Sequence, residues 1–260
     1  MDGPREFELR RYLESQRELA AQLIDGDSLQ QVAPGFLATI GGLLRWEAGA
    51  LWEVVDDSPA LRFVSGWSVP EIDARPLWQL SRELSFESGY GLPGEAWKSG
   101  EIALAPEFTT KPGYPRRALA AELGFSAALA IPVPTGPARE VLAVAEFFTR
   151  SFDVQSEQLL VLLSSFAEQL AAFVSRRRAE AKIKQAEEFM SAVMTSSLDC
   201  IIGMDSEGTV IEFNAAAERL FGYEREQALG RELAELIVPE ELRERHRQGL
   251  KRYLESGGRR

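Results

Sequence analysis

The chain has 260 residues, 45% of them apolar, which supports ordinary cores in one large or two modest domains and excludes wholesale disorder. Its formal net charge of −11 arises from carboxylates interspersed with Lys and Arg, so no basic field covers a whole domain and nucleic acid is disfavoured as a partner. A single cysteine, Cys200, and a single histidine, His246, exclude an intrachain disulfide, a CxxC metal or redox pair, and any mechanism that needs two imidazoles.

The N-terminus, Met1-Asp2-Gly3-Pro4, has no basic segment followed by an apolar core, and no run reaches the roughly 18 uncharged apolar residues of a spanning helix. A cytoplasmic chain, or the cytoplasmic part of something larger, is expected. Apolar residues at Phe7, Leu9, Leu13, Leu19 and Leu23 recur among charges at approximately helical spacing, which predicts an amphipathic helix before residue 27. Asp27-Ser28 then caps a second helix through Leu29, Val32, Phe36, Leu37, Ile40 and Leu43, with Pro34 near its start or kinking it. Two β-like runs, 48–55 and 61–67, are separated by Asp56-Asp57-Ser58-Pro59 and predict a hairpin. A polar helix is expected at about 71–82, then a Gly-rich segment and a short helix over 95–98. Runs 126–133 and 141–148, parted by Pro134-Thr135-Gly136-Pro137, predict a second hairpin of buried strands. Two hairpins with helices between and around them predict an α+β fold, an antiparallel sheet with helices packed on its faces.

From residue 156 to about 196 nothing breaks a helix. Leu159, Leu163, Phe166, Leu170 and Phe173 step by four and three, which predicts a seam between two copies of the chain. The phase slips at Arg176-Arg177-Arg178 and resumes at Ala179, Ile183, Ala186, Met190 and Val193, a place where helix packing can switch. The alternative is that the first half packs on the sheet while the second is a solvated connector. Farther on, residues 197–214 read as strand, tight turn and strand, with Gly208 as the positive-φ turn residue. Asn214 caps a helix with Ala217, Leu220 and Phe221 inward, and Gly222-Tyr223 ends it. Short helices and a longer one over 241–254 follow. Cys200, among Leu198, Ile201 and Ile202, reads as a buried, inert thiol, and the arginines at 176–178 and 243–260 as solvated helix faces.

The segment Gly89-Tyr90-Gly91-Leu92-Pro93-Gly94-Glu95-Ala96-Trp97-Lys98-Ser99-Gly100-Glu101 resembles the G-x-G-L-x-G-x-x-W-x-x-G stretch of bacterial GAF domains. The strand ending Ile131-Pro132-Val133 and the helix start Phe152-Asp153 with Glu157 fit the same family, and the resemblance covers about 28–176. Taken alone, the glycines predict left-handed backbone and close approach beneath the sheet; no Lys-Ser/Thr follows them, so a nucleotide-phosphate cradle is not indicated. The resemblance implies a pocket between sheet and crossing segments. Within that region there is no cysteine for a bilin, no histidine for a metal or haem centre, and no Asn for the cyclic-nucleotide signature. An organic ligand held by Trp67, Tyr90, Trp97 and Phe125 is then one expectation, and a filled core the other. An enzyme using Glu87, Glu95 or Glu146 for acid–base work is an alternative of another class, although nothing in the sequence pairs them with a nucleophile or metal.

Residues 189–260, with Phe213-Asn214-Ala215-Ala216-Ala217-Glu218 running on to Leu220-Phe221-Gly222-Tyr223, resemble the first half of a PAS domain. A PAS fold closes with three more strands, so the chain is expected to be a fragment. The implied organisation is an N-terminal helix at 1–27, a GAF domain at 28–176, a helical linker at 177–188 and an incomplete PAS domain at 189–260. The run Arg245-His246-Arg247 to Arg252 resembles the helix that supplies the proximal haem ligand in oxygen-sensing PAS proteins, so His246 and Arg252 are candidate haem contacts. The functional expectation is the sensory input module of a cytoplasmic bacterial signalling protein, a homodimer through the long helix. The implied parent is a sensor histidine kinase in a two-component system; a diguanylate cyclase, a haem-based gas sensor and a ligand-free dimerisation scaffold are the alternatives.

Overall fold

The computed structural model describes residues 3–55, 60–110, 113–152 and 157–255 of the chain. They divide into two compact units, Met1–Ala179 and Glu180–Arg260. The expected turn at Asp56–Pro59, the helix start at Asp153, and the side chains of Phe7, Leu9 and Leu159 lie outside the described residues.

In the first unit, α1 (Gly3–Asp25) and α2 (Leu29–Leu44) precede the hairpin β1 (Ala48–Val55) and β2 (Ala60–Ser68). Next come α3 (Arg75–Glu83), β3 (Ser85–Glu87), α4 (Gly91–Ser99), β4 (Ala103–Ala105) and α5 (Arg117–Glu122), then the hairpin β5 (Ala127–Thr135) and β6 (Glu140–Thr149). The strands form one six-stranded antiparallel sheet in the order β3-β2-β1-β6-β5-β4. Both expected hairpins are present and lie side by side through β1 and β6. The edge strands β3 and β4 go beyond the sequence reading, and α4 begins inside the Gly-rich segment rather than after it.

Side chains alternate between the two faces of this sheet. Leu51, Leu129, Ile131, Ala145 and Phe147 face α1, α2 and the first half of the long helix α6 (Glu157–Ser196). Ala48, Ala50, Trp52, Ala128, Ala130 and Phe148 face α3, α4, α5 and the crossing segments. Ser28 caps α2 as expected, its side chain accepting from the Gln31 amide. Pro34 lies within α2, on the turn that carries the buried Val32, Ala33 and Phe36. In the Gly-rich segment Gly89 (φ 88°) and Gly91 (φ 65°) supply left-handed backbone. Gly94 supplies the close approach, since a Cβ there would run into the carbonyl oxygen of Glu87.

The long helix corrects the seam expected in its first half. Leu163, Phe166, Leu170 and Phe173 are 0–3% exposed and belong to the core on the α2 face of the sheet, so they are spent within the chain. The three arginines also depart from a solvated face. Arg176 donates to the carbonyl of Leu23 at 3.1 Å, Arg177 to the carbonyl of Gly26, and Arg178 to that of Val54 at 2.7 Å. Two of them thus meet carbonyls at the end of α1, where cations offset the helix dipole.

In the second unit α6 continues to Ser196, and β7 (Ile202–Met204) pairs with β8 (Val210–Phe213). Then follow α7 (Ala215–Phe221), α8 (Arg225–Ala228), α9 (Leu233–Ile237) and α10 (Glu240–Glu255). Gly208 (φ 85°) closes the hairpin turn, and Asp205 Oδ1 accepts the amides of Glu207 and Thr209, both at 2.9 Å. The small core is Val210, Phe213, Ala217, Ala228, Leu233 and Leu236. Two expectations are corrected here. Cys200 is exposed, because β7 begins two residues after it, and Leu220 points outward at 66% exposure while Ala216 and Ala217 face in.

Candidate functional site

The sheet face toward α3, α4 and α5 holds a buried ion pair. Glu146 on β6 is 1% exposed and Arg116, at the start of α5, is 3% exposed; their side chains are directly paired. Glu146 falls at an inward position because β6 alternates: Phe147 faces α2, while Val144, Glu146 and Phe148 face the crossing segments. Its register partners are Ala50 on β1 and Ala130 on β5, so small side chains flank the carboxylate on both sides. Trp52 Nε1 donates to Glu146 Oε2 at 3.2 Å. The register skips Val64 of β2 opposite Leu51 and Trp52, which marks a bulge in β2 beside this indole.

Aromatic rings surround the guanidinium. Arg116 Cζ lies 4.7 Å from the Trp52 ring centroid, 5.3 Å from that of Phe86 and 5.4 Å from that of Phe148. Trp52 and Phe86 meet edge to face at 4.8 Å, which fixes the box walls. Ser81 on α3, itself fully buried, accepts from Arg116 NH1 at 3.4 Å. Arg116 Nε has no hydrogen-bond partner among the described residues. Near this box, Tyr114 donates to Glu95 at 3.2 Å, and burial together with the neighbouring Glu95 carboxylate pushes its phenol up to about 12.

The four aromatic residues expected to share a pocket are not brought together. Trp67 packs on the opposite face of the sheet, its ring against Gly41 of α2, where a Cβ would collide with it. Phe125 is buried at 5.7 Å from Phe148, and Trp97 is half-buried against the same core. Tyr90 is 50% exposed, with its ring tilted 35° to that of Phe86 at 6.3 Å between centroids. The bulge at Val64 resets the alternation along β2 and puts Trp67 on the α2 side, away from Leu61 and Phe63, so only three of the four share a face. Of the acid–base candidates, Glu87 and Glu95 are exposed and only Glu146 is buried, so they do not converge either. The sequence reading missed Arg116, Trp52 and Ser81. The signal that could have found them is Glu146 itself, a carboxylate in the middle of the apolar run 141–148, which needs a buried partner.

His246 lies on α10 and lines a cleft of about 310 Å³ together with Gly208, Ala234, Leu250 and Leu254. The same cleft is lined by Glu207, Glu232, Arg247, Lys251 and Glu255. Arg247 donates to Glu232 at 2.6 and 2.7 Å, and this pairing holds the Glu232 carboxyl below the usual range. Arg252 is exposed, donates to the carbonyl of Gln248 at 3.2 Å and does not line the cleft. A haem would ask for an imidazole over an apolar pocket. The charged lining and the place of Arg252 outside the cleft do not fit that group.

Comparison with known proteins matches this geometry to two folds. Residues 188–260 match the PAS fold family. The GAF domain of nlh2 from A. aeolicus, solved in an inactive state, superposes with a TM-score of 0.51 at 16% identity, covering 65% of this chain and 99% of that one. GAF domains from phosphoenolpyruvate-protein phosphotransferases give similar values. The Coxiella burnetii domain has a TM-score of 0.53 at 18% identity, covering 66% of this chain and 98% of that one. The Acinetobacter domain has 0.52 at 14%, covering 66% and 97%. An uncharacterized protein of Azorhizobium caulinodans is 39% identical over 88 residues, which are 34% of this chain and 12% of that protein. The chain therefore carries a GAF fold in its N-terminal part and a PAS fold at 188–260, and among the described residues no helix is long and apolar enough to cross a membrane.

Proposed function

We propose that this chain is the sensory input part of a bacterial signal-transduction protein, working in the cytoplasm as a homodimer. The GAF-fold unit receives the signal, α6 carries it, and the PAS-fold unit relays it to an output domain, a histidine kinase in the first reading and a diguanylate cyclase in the other. The observation that carries the proposal is the division of α6. Its first half is locked into the sheet core by Leu163, Phe166 and Leu170, whereas Ile183, Met190 and Val193 form an exposed stripe at steps of seven and three in the second half. A helix rigidly held at one end, with an apolar stripe free at the other, suits transmission by a change of pairing between two copies.

Light scattering on the whole chain tests this. A dimer is expected for the wild type, and a monomer for the double variant Ile183→Glu, Met190→Glu with the circular dichroism of the folded chain retained. A wild-type monomer at high concentration would remove the carrier of the signal. A ligand-free dimerisation scaffold is the second reading, favoured by the filling of the Glu146 box with the chain's own Arg116.

A further inference from the structure

An inward carboxylate on a central strand is costly, because its desolvation is repaid only by close pairing, and apolar residues of similar volume commonly serve stability as well or better. Glu146 is paired by a side chain that does not come from the sheet. Arg116 belongs to the segment between β4 and α5, and enters the box with its Nε unpaired. Around it stand a carboxylate, the indole N–H that orients that carboxylate, three aromatic rings within 5.4 Å of the guanidinium carbon, and the Ser81 hydroxyl. Alanines on both sides of Glu146 keep its cross-strand neighbours small, and the Arg116 guanidinium takes the place beside the carboxylate. A carboxylate under aromatic faces is the chemistry that recognises an organic cation, and it repels an anion.

We propose that the Glu146 box is a receptor for a small metabolite bearing a guanidinium group, and that Arg116 is its intrachain stand-in, displaced when the ligand enters. The proposal rests on the sensory reading above and names the ligand class of that input. A planar guanidinium suits the site because it stacks on rings and donates to a carboxylate at once, as Arg116 itself does. Arg116 stands at the start of α5, so its departure releases the contact with Ser81 on α3 and alters the packing between these two helices. The bound side chain acts as a competitor at the site, which sets the ligand concentration at which the switch occurs.

The test is calorimetric titration of the full chain with agmatine, with tetramethylammonium as the comparison cation. Wild-type protein is expected to bind agmatine, and Arg116→Ala to bind it about tenfold or more tightly because the competing side chain is gone. In Glu146→Gln affinity falls by about tenfold or more, as the charged partner is lost. Arg116→Met, which keeps an apolar stem, replaces the alanine variant if that one does not fold, and the wild-type titration decides if neither does. Tetramethylammonium binding as tightly as agmatine would mean an aromatic cage without guanidinium selectivity and overturns the assignment. So does silence to agmatine at millimolar concentration in every folded protein, or equal affinity in wild type and the Arg116 variants. Light scattering on the same samples separates the two levels: a dimer that binds no cation keeps the input-module reading and loses only the ligand.

Discussion

Arg178 donates to the carbonyl oxygen of Val54 at 2.7 Å and to the carboxylate of Glu53 at 3.2 Å, fastening the long helix to the far end of β1 just before the boundary between the two units. The side chain is only partly exposed, at 23%, so the charged hydrogen bond keeps part of its strength. Arg178→Ala is expected to lower the stability of the first unit by about 1 kcal/mol. It should also speed amide exchange in α6 near residues 176–182 while leaving exchange in β5 and β6 unchanged. Hydrogen exchange with mass readout checks both. Unchanged protection in that stretch would mean that the arginine fastens nothing.

The two halves of α6 predict opposite phenotypes for equivalent truncations. Leu170 is fully buried beneath the sheet, and Leu170→Ala should cost about 2–5 kcal/mol because the surrounding core cannot close over the lost volume. Ile183 is 61% exposed, and Ile183→Ala should leave the unfolding free energy of the first unit within about 0.5 kcal/mol of wild type while weakening self-association. Denaturation followed by tryptophan fluorescence reads the first effect, since all five tryptophans lie in that unit. Concentration-dependent scattering reads the second.

These contrasts mark what the sequence made legible. Hairpins bounded by Asp56–Pro59 and Pro134–Pro137 follow from long apolar runs between breakers, and so did the unbroken helix from about residue 156. The edge strands Ser85–Glu87 and Ala103–Ala105 escaped because three residues carry no period. The face on which Trp67 lies depends on a count along β2 that the bulge at Val64 disturbs, so its separation from Phe125 was not readable. Periodicity also does not distinguish a helix stripe that meets its own sheet from one that meets a second chain, which is why Leu163 to Phe173 read as a seam. The guanidinium that completes the buried box comes from a loop arginine with no local signature, whereas its carboxylate partner was visible as the odd residue in an apolar strand.

Asn214 joins three segments of the second unit. Its Oδ1 accepts the amides of Ile201 at 2.9 Å and Ala217 at 3.0 Å, and its Nδ2 donates to the carbonyl of Asp199 at 2.9 Å, all at 3% exposure. One side chain thus caps α7 and ties the entry of β7 to the end of β8. Asn214→Ala leaves two amides without their acceptor and takes one of two donors from the Asp199 carbonyl, which Ser197 Oγ still reaches at 3.2 Å, and should destabilise this unit by about 2–3 kcal/mol. Asn214→Asp keeps both acceptor roles, with its charge at a helix N-terminus, and should cost about 1 kcal/mol. Amide exchange at Ile201 and Ala217 measures both, because the two units need not unfold together. Equal losses in the two variants would show that the amide donor, not the cap, holds the structure.

Tyr114 sets an alkaline limit on the first unit. Burial, together with the Glu95 carboxylate that accepts its hydrogen bond at 3.2 Å, raises its phenol to about 12. An unfolded tyrosine ionises near pH ~10. Between these values the folded chain holds a proton that the unfolded chain has released, so stability falls as pH rises. The contribution is complete below about pH 10 and lost as pH climbs through about 12. Tyr114→Phe removes the titration and should flatten the decline of the melting temperature over that window, though it starts lower for want of the Glu95 bond. The difference in phenolate absorbance between wild type and Tyr114→Phe follows the single group directly among five tyrosines. A difference titration centred near pH ~10 would mean that the Tyr114 hydroxyl is neither buried nor held by Glu95 in solution.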